Sequence, residues 1–287
     1  MSVIWGLPYL FIRIAVTDLS PGMLVFSRTA IGALILVPIA LARGELRGLL
    51  KYWLPLVAFS AVEVGIPWFM LSSAEQKISS SLAGLLVSAV PLVGVVIATG
   101  LGNREYLGLP SISGLLLGIA GVAAIVGFDL RASDWPALVE VGIVVVGYAV
   151  GPVILSRYLK NAPAVGVIAV ALTISGIVYA PVAAVQWPHS LPSSEVLAAV
   201  AVLAIVCTAI AFLLFFALIA EIGPVRATVI TYINPAVAAV LGVIVLHENF
   251  TAGMAVGFVL VVAGSVLATR RPREPAVALS AESQSSV

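Results

Sequence analysis

The chain has 287 residues, of which 62% are hydrophobic and 9% are charged. Soluble domains are about 45–50% apolar with about 25% charged residues, so this chain cannot cover its surface with polar groups. Ten membrane-spanning helices of roughly 20 residues each would use about 200 residues, which excludes a sizeable soluble catalytic domain. The net charge of +1 gives no signature of nucleic-acid binding, and one cysteine with two histidines excludes an internal disulfide and a metal site.

Ten apolar runs follow one another along the chain, separated by charged residues or by proline and glycine. They cover residues 3–16, 21–42, 52–71, 79–101, 107–128, 136–156, 164–185, 196–219, 225–246 and 251–269. The first run is short for a bilayer and contains Arg13. The last eighteen residues, 270–287, are rich in serine, proline and charge and are typical of a disordered tail. The sequence therefore predicts an all-α integral membrane protein with ten transmembrane helices.

The orientation follows from the lysines and arginines of the short loops, which concentrate on the cytoplasmic side of bacterial membranes. With the amino terminus inside, ten of them fall on the cytoplasmic side and three on the other. The cytoplasmic ones are Arg43, Arg47, Lys51, Arg104, Arg157, Lys160, Arg226, Arg270, Arg271 and Arg273. We therefore expect a multi-pass protein of the plasma membrane with both termini in the cytoplasm.

The two halves of the chain repeat at an offset of about 143–144 residues. The matching landmarks are Arg13 with Arg157, Ala83 with Ala227, Pro91 with Pro235, Glu105 with Glu248, Gly114 with Gly257 and Gly121 with Gly264. Because five spans is an odd number, the second copy must enter the membrane from the opposite side. We expect two inverted five-helix repeats, over 1–128 and 136–269, with the substrate bound near the midplane between them.

Several of these features together resemble the EamA-like branch of the drug/metabolite transporter superfamily. The features are Trp5-Gly6, Arg13, Arg28, the mid-span prolines Pro91 and Pro235, and the Glu105 and Glu248 turns that precede glycine-rich spans. The resemblance implies a central cavity formed mainly by spans one, three, four, six, eight and nine. It also implies export or exchange of small metabolites, often amino acids or related amphipathic compounds.

Arg28 and Glu63 lie inside predicted spans, where charge is costly and marks candidate functional groups. Both fall roughly 10–12 Å below the same membrane face, given the 1.5 Å helical rise. They could form a static ion pair, act as a gate or substrate contact, or Arg28 could reach outward to the interface. Glu63 is the candidate proton-coupling group, because desolvation favours its neutral form and a nearby Arg28 its charged form.

Pro91 and Pro235 occupy equivalent places in the fourth and ninth spans. A proline inside a helix removes one backbone hydrogen bond, so the pair indicates either hinges beside a binding site or kinks that neighbouring helices tolerate. Polar neighbours of the two prolines favour hinges beside a binding site. These neighbours are Asn234, Tyr232 and, at the position equivalent to Tyr232, Ser88.

Aromatic residues of the first and sixth spans are further candidates for substrate contact. Trp5 and Tyr9 share one helix face, and Tyr148 lies at a related place in the sixth span. If these aromatic residues line a cavity, the cavity would suit amphipathic solutes. The alternative for Trp5 is a place in the belt of aromatic residues at the membrane interface. The glycines at 114, 118, 121, 253, 257 and 264 indicate close helix packing, with self-association into a homodimer as the alternative.

A secondary transporter accounts for these features best. The partners we expect are a small-molecule substrate, the lipid bilayer and a proton or counter-substrate, with no cofactor and no nucleic acid. An intramembrane enzyme would need a nucleophile or metal motif, and the chain has neither HExxH nor G-x-S-x-G. A channel or a scaffold without carrier activity is the other alternative.

Overall fold

The computed structural model describes residues 1–102, 108–129, 134–188, 190–222 and 230–269. Every regular element in these ranges is helical. Arg104, Glu105, Arg131, His189, Arg226, Ala227 and the tail from 270 lie outside the described residues, so the expectations for them stay predictions.

The chain forms thirteen α-helices in the described ranges, and several of them join end to end into single membrane spans. They are α1 Ser2–Ala15, α2 Pro21–Ala42, α3 Trp53–Phe59, α4 Ile66–Ala74, α5 Ser80–Val87, α6 Val90–Gly100, α7 Leu109–Asp129, α8 Trp135–Tyr158, α9 Ala164–Val185, α10 Ser194–Ala201, α11 Ala211–Ile222, α12 Ile230–Leu246 and α13 Ala252–Thr269. A 3₁₀ turn, Leu49–Tyr52, leads into α3. A first π segment, Ser60–Gly65, joins α3 to α4, and a second π segment, Val202–Ile210, joins α10 to α11.

Eight helical stretches of the described chain are long and apolar enough to cross a membrane. Two further apolar helices are shorter, Ser2–Ala15 at the start of the chain and Tyr232–Leu246. At 1.5 Å per residue, the 14 residues of α1 cover about 21 Å, less than the roughly 30 Å of a hydrocarbon core. The structure thus confirms an all-helical membrane protein with ten apolar segments, of which the first is short.

Helices from the two halves of the chain pack mainly on each other. The most extensive contacts join α7 with α13 and α2 with α9, and α12 packs on both α1 and α5. The side chains form two buried clusters, and the ring of Tyr148 contacts both. The two halves therefore form one interleaved bundle and not two separate bodies.

The packing of α7 on α13 depends on glycine. A β-carbon on Gly121 would lie 2.7 Å from the backbone oxygen of Gly257, and one on Gly264 would lie 2.5 Å from the backbone nitrogen of Gly118. Real β-carbons do not approach backbone atoms this closely, so only glycine allows the contact. These glycines are used inside one chain, as the close-packing interpretation of the sequence predicted.

Carboxylates of one half accept hydrogen bonds from helix starts of the other half. The connections 16–20, 75–79 and 247–251 share one end of the bundle, which we call the distal end because Met1 lies at the other, proximal end. Here Glu248 accepts bonds from the backbone nitrogens of Ser80 and Ser81 at 2.8 and 2.9 Å, and from both hydroxyls. The positive end of the α5 dipole adds to this attraction.

Two more contacts of this kind connect the halves. At the distal end, Asp18 accepts a bond of 2.9 Å from the backbone nitrogen of Ser193, the residue that caps α10. This bond is the main reason why the pKa of Asp18 lies below its ordinary value. At the proximal end, Glu45 accepts a bond of 3.0 Å from the backbone nitrogen of Gly166 in the first turn of α9.

The glycine contact predicts a difference between two identical substitutions in α7. Gly121→Leu places a side chain against the backbone of α13, whereas a β-carbon on Gly127 meets nothing within 4 Å. We expect Gly121→Leu to destabilise the protein by about 2 kcal/mol or more, as overpacking does, and Gly127→Leu to change stability little. Thermal unfolding of both variants in the same detergent measures this difference. Equal unfolding temperatures would contradict the proposed contact.

Candidate functional site

Arg28 is buried where the second, third and eighth spans meet. Its side chain is 6% exposed, and its Nε donates a hydrogen bond of 2.9 Å to Thr208 Oγ1. The guanidinium carbon lies 3.6 Å from the centre of the Trp68 ring, which is a cation–π contact. A hydroxyl and an aromatic face therefore hold the cation, and neither of them neutralises its charge.

Thr208 lies in the second π segment, in the eighth span. Its hydroxyl donates to the carbonyl oxygen of Leu203, five residues earlier, at 2.8 Å. Its remaining lone pairs face Arg28. Short π-helical stretches are rare in proteins, and those that do occur are frequently at functional sites. The sequence signal for this residue was weak, because Thr208 is a single hydroxyl within a long apolar run.

The ion pair between Arg28 and Glu63, one of the expected alternatives, is not formed. Across the described ranges, ion pairs within 4.0 Å join Arg43 to Glu45 and Lys77 to Glu140 only. The same part of the structure offers no hydrogen-bond acceptor to the two terminal nitrogens of Arg28. The third and second spans are adjacent, as expected, but Glu63 points toward α8 instead.

Glu63 lies in the first π segment and packs against Gly151 of α8. Its Oε2 is buried without a hydrogen-bond partner in the described structure, at the place that a β-carbon on Gly151 would take. Gly147, one turn earlier, meets the backbone carbonyl of Val62 in the same way. Tyr148 lies between these glycines in sequence and within electrostatic range of both Glu63 and Arg28. We call Arg28, Glu63, Trp68, Tyr148 and Thr208 the central polar group.

The fourth span is broken at the predicted hinge. Helix α5 ends at Val87, residues 88–89 form a turn, and Pro91 lies in the first turn of α6. The hydroxyl of Ser88 donates to the carbonyl of Leu85. Pro235 lies instead inside the continuous helix α12. The two prolines are equivalent in sequence, but only the first one lies at a helix break.

The other predicted site residues make contacts of their own. The ring of Trp5 packs on Phe212 and Phe215 of α11, with centroid distances of 5.9 and 4.6 Å. Tyr9 is buried against Gly84 of α5. The hydroxyl of Tyr232 lies 3.3 Å from that of Thr269, and the backbone carbonyl of Asn234 lies against Gly6. The structure thus places Tyr148 within electrostatic range of both Arg28 and Glu63, and it places the remaining residues on neighbouring helix contacts.

A cavity of about 580 Å³ opens at the distal end. Its lining includes both signs of charge and three buried apolar side chains. These residues are Arg13, Val16, Lys77, Ile78, Glu195, Val196 and Glu248. Immediately beside this lining, Glu75 is completely buried, with neither carboxylate oxygen hydrogen-bonded in the described structure. Glu75 directly follows α4, and the groups around it come from other spans, so its burial is not visible in the sequence.

The central polar group offers a cation, a carboxyl group, two hydroxyls and an aromatic face at membrane depth. Such groups bind and orient a polar solute. No cluster of three or more histidine, cysteine, aspartate or glutamate side chains that could hold a metal ion occurs within the described ranges.

Comparison with known proteins places the chain in a family. The model of the EamA-like transporter family matches residues 1–127 and 137–270. YvbV of Bacillus subtilis (strain 168), named an uncharacterized transporter, is 25% identical over 283 residues, which are 95% of this chain and 90% of that protein. YedA of Escherichia coli (strain K12), named an uncharacterized inner membrane transporter, is 31% identical over 255 residues, 84% of this chain and 79% of that protein.

One solved structure shares the fold. It is a crystal structure of a protein 22% identical in sequence, which superposes with a TM-score of 0.67 over 93% of this chain and 94% of its own. Together with the apolar helices and the family match over nearly the whole described chain, this likeness leads to one conclusion. The chain belongs to the EamA-like transporter family and is a multi-pass membrane transporter.

Proposed function

We propose that the chain is a secondary carrier of the plasma membrane that exports or exchanges small metabolites by alternating access between two inverted five-helix repeats. The observation that carries this proposal is the central polar group. Arg28 is a buried cation whose terminal nitrogens meet no acceptor in the described structure, at the depth where carriers bind their substrates. An uncompensated charge at this place is costly unless a ligand uses it.

Three observations support the duplicated architecture. The family model covers the two halves as separate ranges, 1–127 and 137–270. The two π segments, Ser60–Gly65 and Val202–Ile210, fall at corresponding places of the third and eighth spans, as the repeat offset predicts. The helix contacts also correspond, since α2 packs on α9 and α7 on α13, each with its counterpart in the other half.

Arg28 and Glu63 suggest the kind of substrate. The two free terminal nitrogens of a guanidinium suit a carboxylate or a similar planar anion. The unpaired carboxyl of Glu63 and the hydroxyl of Tyr148 could accept an amine or a hydroxyl from the same molecule. An amino acid or an amphipathic drug-like compound carries these groups next to an apolar body, which the aromatic residues Trp68 and Trp5 would contact.

Glu63 is the proposed coupling group of this carrier. Its Oε2 is buried against α8 without a hydrogen-bond partner in the described structure, which is compatible with the neutral, protonated form. Rotation of α8 relative to the third span would bring it to water and allow the proton to leave. The break at residues 88–89 gives the fourth span a place to bend during the same movement.

A thermal-shift screen against amino acids, purines and cationic drugs tests the substrate site. A compound that binds the folded protein raises its unfolding temperature by mass action. We expect Arg28→Gln to weaken binding of any such compound about 30-fold, the effect of losing about 2 kcal/mol from a charge-assisted hydrogen bond. Arg43→Gln is the matched control, because Arg43 is exposed and pairs with Glu45. An unchanged response of Arg28→Gln would contradict the assignment, and stabilisation by lipid alone would count against a carrier.

Transport in proteoliposomes tests the coupling role. We expect Glu63→Gln to remove the dependence of transport on the pH gradient, because glutamine cannot release a proton. Glu140→Gln is the control, since Glu140 lies near the distal end and bonds to Lys77 and Ser73. If transport by Glu63→Gln still follows the pH gradient, Glu63 is not the coupling group.

A further inference from the structure

Glu75 is a second buried acid that the central polar group does not include. It follows α4 directly and lies at the distal end with an exposed fraction of 0%. Neither of its carboxylate oxygens has a hydrogen-bond partner in the described structure. A charged carboxylate without water or a partner is strongly disfavoured, so this arrangement is compatible with a neutral, protonated side chain.

The groups that surround Glu75 come from every neighbouring element. They are Tyr9 and Arg13 of α1, Arg28 of α2, Tyr148 of α8 and Glu248 in the connection before α13. Arg13 is the nearest cation, but its guanidinium donates to the backbone carbonyl of Glu75 and forms no ion pair with the carboxyl group. Glu248 is already bound to Ser80 and Ser81 at the start of α5.

These neighbours favour a proton over a metal cation as the ligand. A sodium or calcium ion needs several oxygen ligands, and the guanidinium of Arg13 occupies the nearby carbonyl oxygen and repels a second cation. A proton needs only the carboxyl group itself.

We propose that the carboxyl group of Glu75 is a proton-binding site that is tied to closure of the distal end. The proposal rests on the proposed function, because it requires that this end open and close during transport. With the proton bound, no negative charge lies beside Glu248, and Glu248 can hold the start of α5 across the two halves. Val16 and Ile78 then stay buried at the cavity lining.

Loss of the proton changes these forces. The new negative charge repels Glu248 and attracts Arg13 away from the backbone carbonyl, so the contacts that cross the distal end weaken. The closed form binds the proton more tightly than the open form. It is therefore favoured at low pH and lost as the pH rises, with Glu75 released to the water of the cavity.

Cysteine labelling tests this inference without measuring transport. The chain has one cysteine, Cys207, which is buried, so a new cysteine can report on the distal end. Val16→Cys places a thiol at a buried position of the cavity lining, and Gln76→Cys places one at an exposed position nearby. Both thiols are labelled with a maleimide in lipid nanodiscs, and the labelling rate of Val16→Cys is divided by that of Gln76→Cys. This labelling ratio removes the pH dependence of the thiol reaction itself. Both membrane faces are accessible in nanodiscs, so the result does not depend on orientation.

We expect the labelling ratio to rise about tenfold between about pH 6 and pH 9, as the population shifts toward the open form. In a Glu75→Gln background the ratio should stay low at every pH, because glutamine resembles the protonated acid. Glu195→Gln is the matched control, since Glu195 lines the same cavity but is exposed, and it should keep the pH response. If Glu75→Gln does not fold, Glu75→Asp is measured instead. Aspartate has a shorter side chain and places the carboxyl group elsewhere, so it should shift the pH midpoint of the labelling ratio.

Three results would overturn the proton site: a labelling ratio that does not change with pH in the parent, an unchanged response in Glu75→Gln, or an unchanged midpoint in Glu75→Asp. A different result would count against the proposed carrier function. A normal pH response of the distal end, together with no stabilisation by any compound of the panel, would support the site at Glu75 and count against the carrier.

Discussion

Hydrocarbon offers no hydrogen-bond partners, and this constraint explains where the chain is regular and where it is not. Each backbone group in a span must bond within the protein, so the spans are helical throughout the described ranges. Departures from the α-helix are correspondingly informative. They occur in the third and eighth spans, as π segments, and in the fourth span, as a break at residues 88–89. The two π segments contain Glu63 and Thr208, which belong to the central polar group.

The charged side chains inside the bundle differ in how many hydrogen-bond partners the protein offers them. Arg28 is compensated in part by a hydroxyl and an aromatic ring, which leaves its charge available to a ligand. Glu63 and Glu75 lack even such partners in the described structure, which suits groups that exchange a proton. Glu248 is fully bonded by two backbone nitrogens and two hydroxyls, which suits a structural contact. The number of hydrogen bonds thus distinguishes the groups with proposed ligand-binding and proton-binding roles from the group that makes a structural contact.

The bundle also has a glycine-packed part and a polar part. Glycines bring α7 and α13 so close that their backbones touch, and neither helix contributes to the central polar group. The elements that do contribute are α2, the third span with its π segment, α8 and the eighth span. At the two ends, carboxylates hold helix starts of the opposite half, with Glu248 and Asp18 at the distal end and Glu45 at the proximal end.

The sequence by itself determined the membrane solvent, the ten apolar segments and the two charges inside the spans, and it predicted the repeat. Composition and the length of apolar runs are enough for these features, because they depend on the transfer of each segment from water to lipid. The partners of those charges were decided by the tertiary structure. The spans are apolar on nearly all sides, so their pattern does not show which face turns inward. Rotation of the helices therefore put Thr208 and Trp68 beside Arg28, turned Glu63 toward Gly151, and buried Glu75 under neighbours that lie far away along the chain.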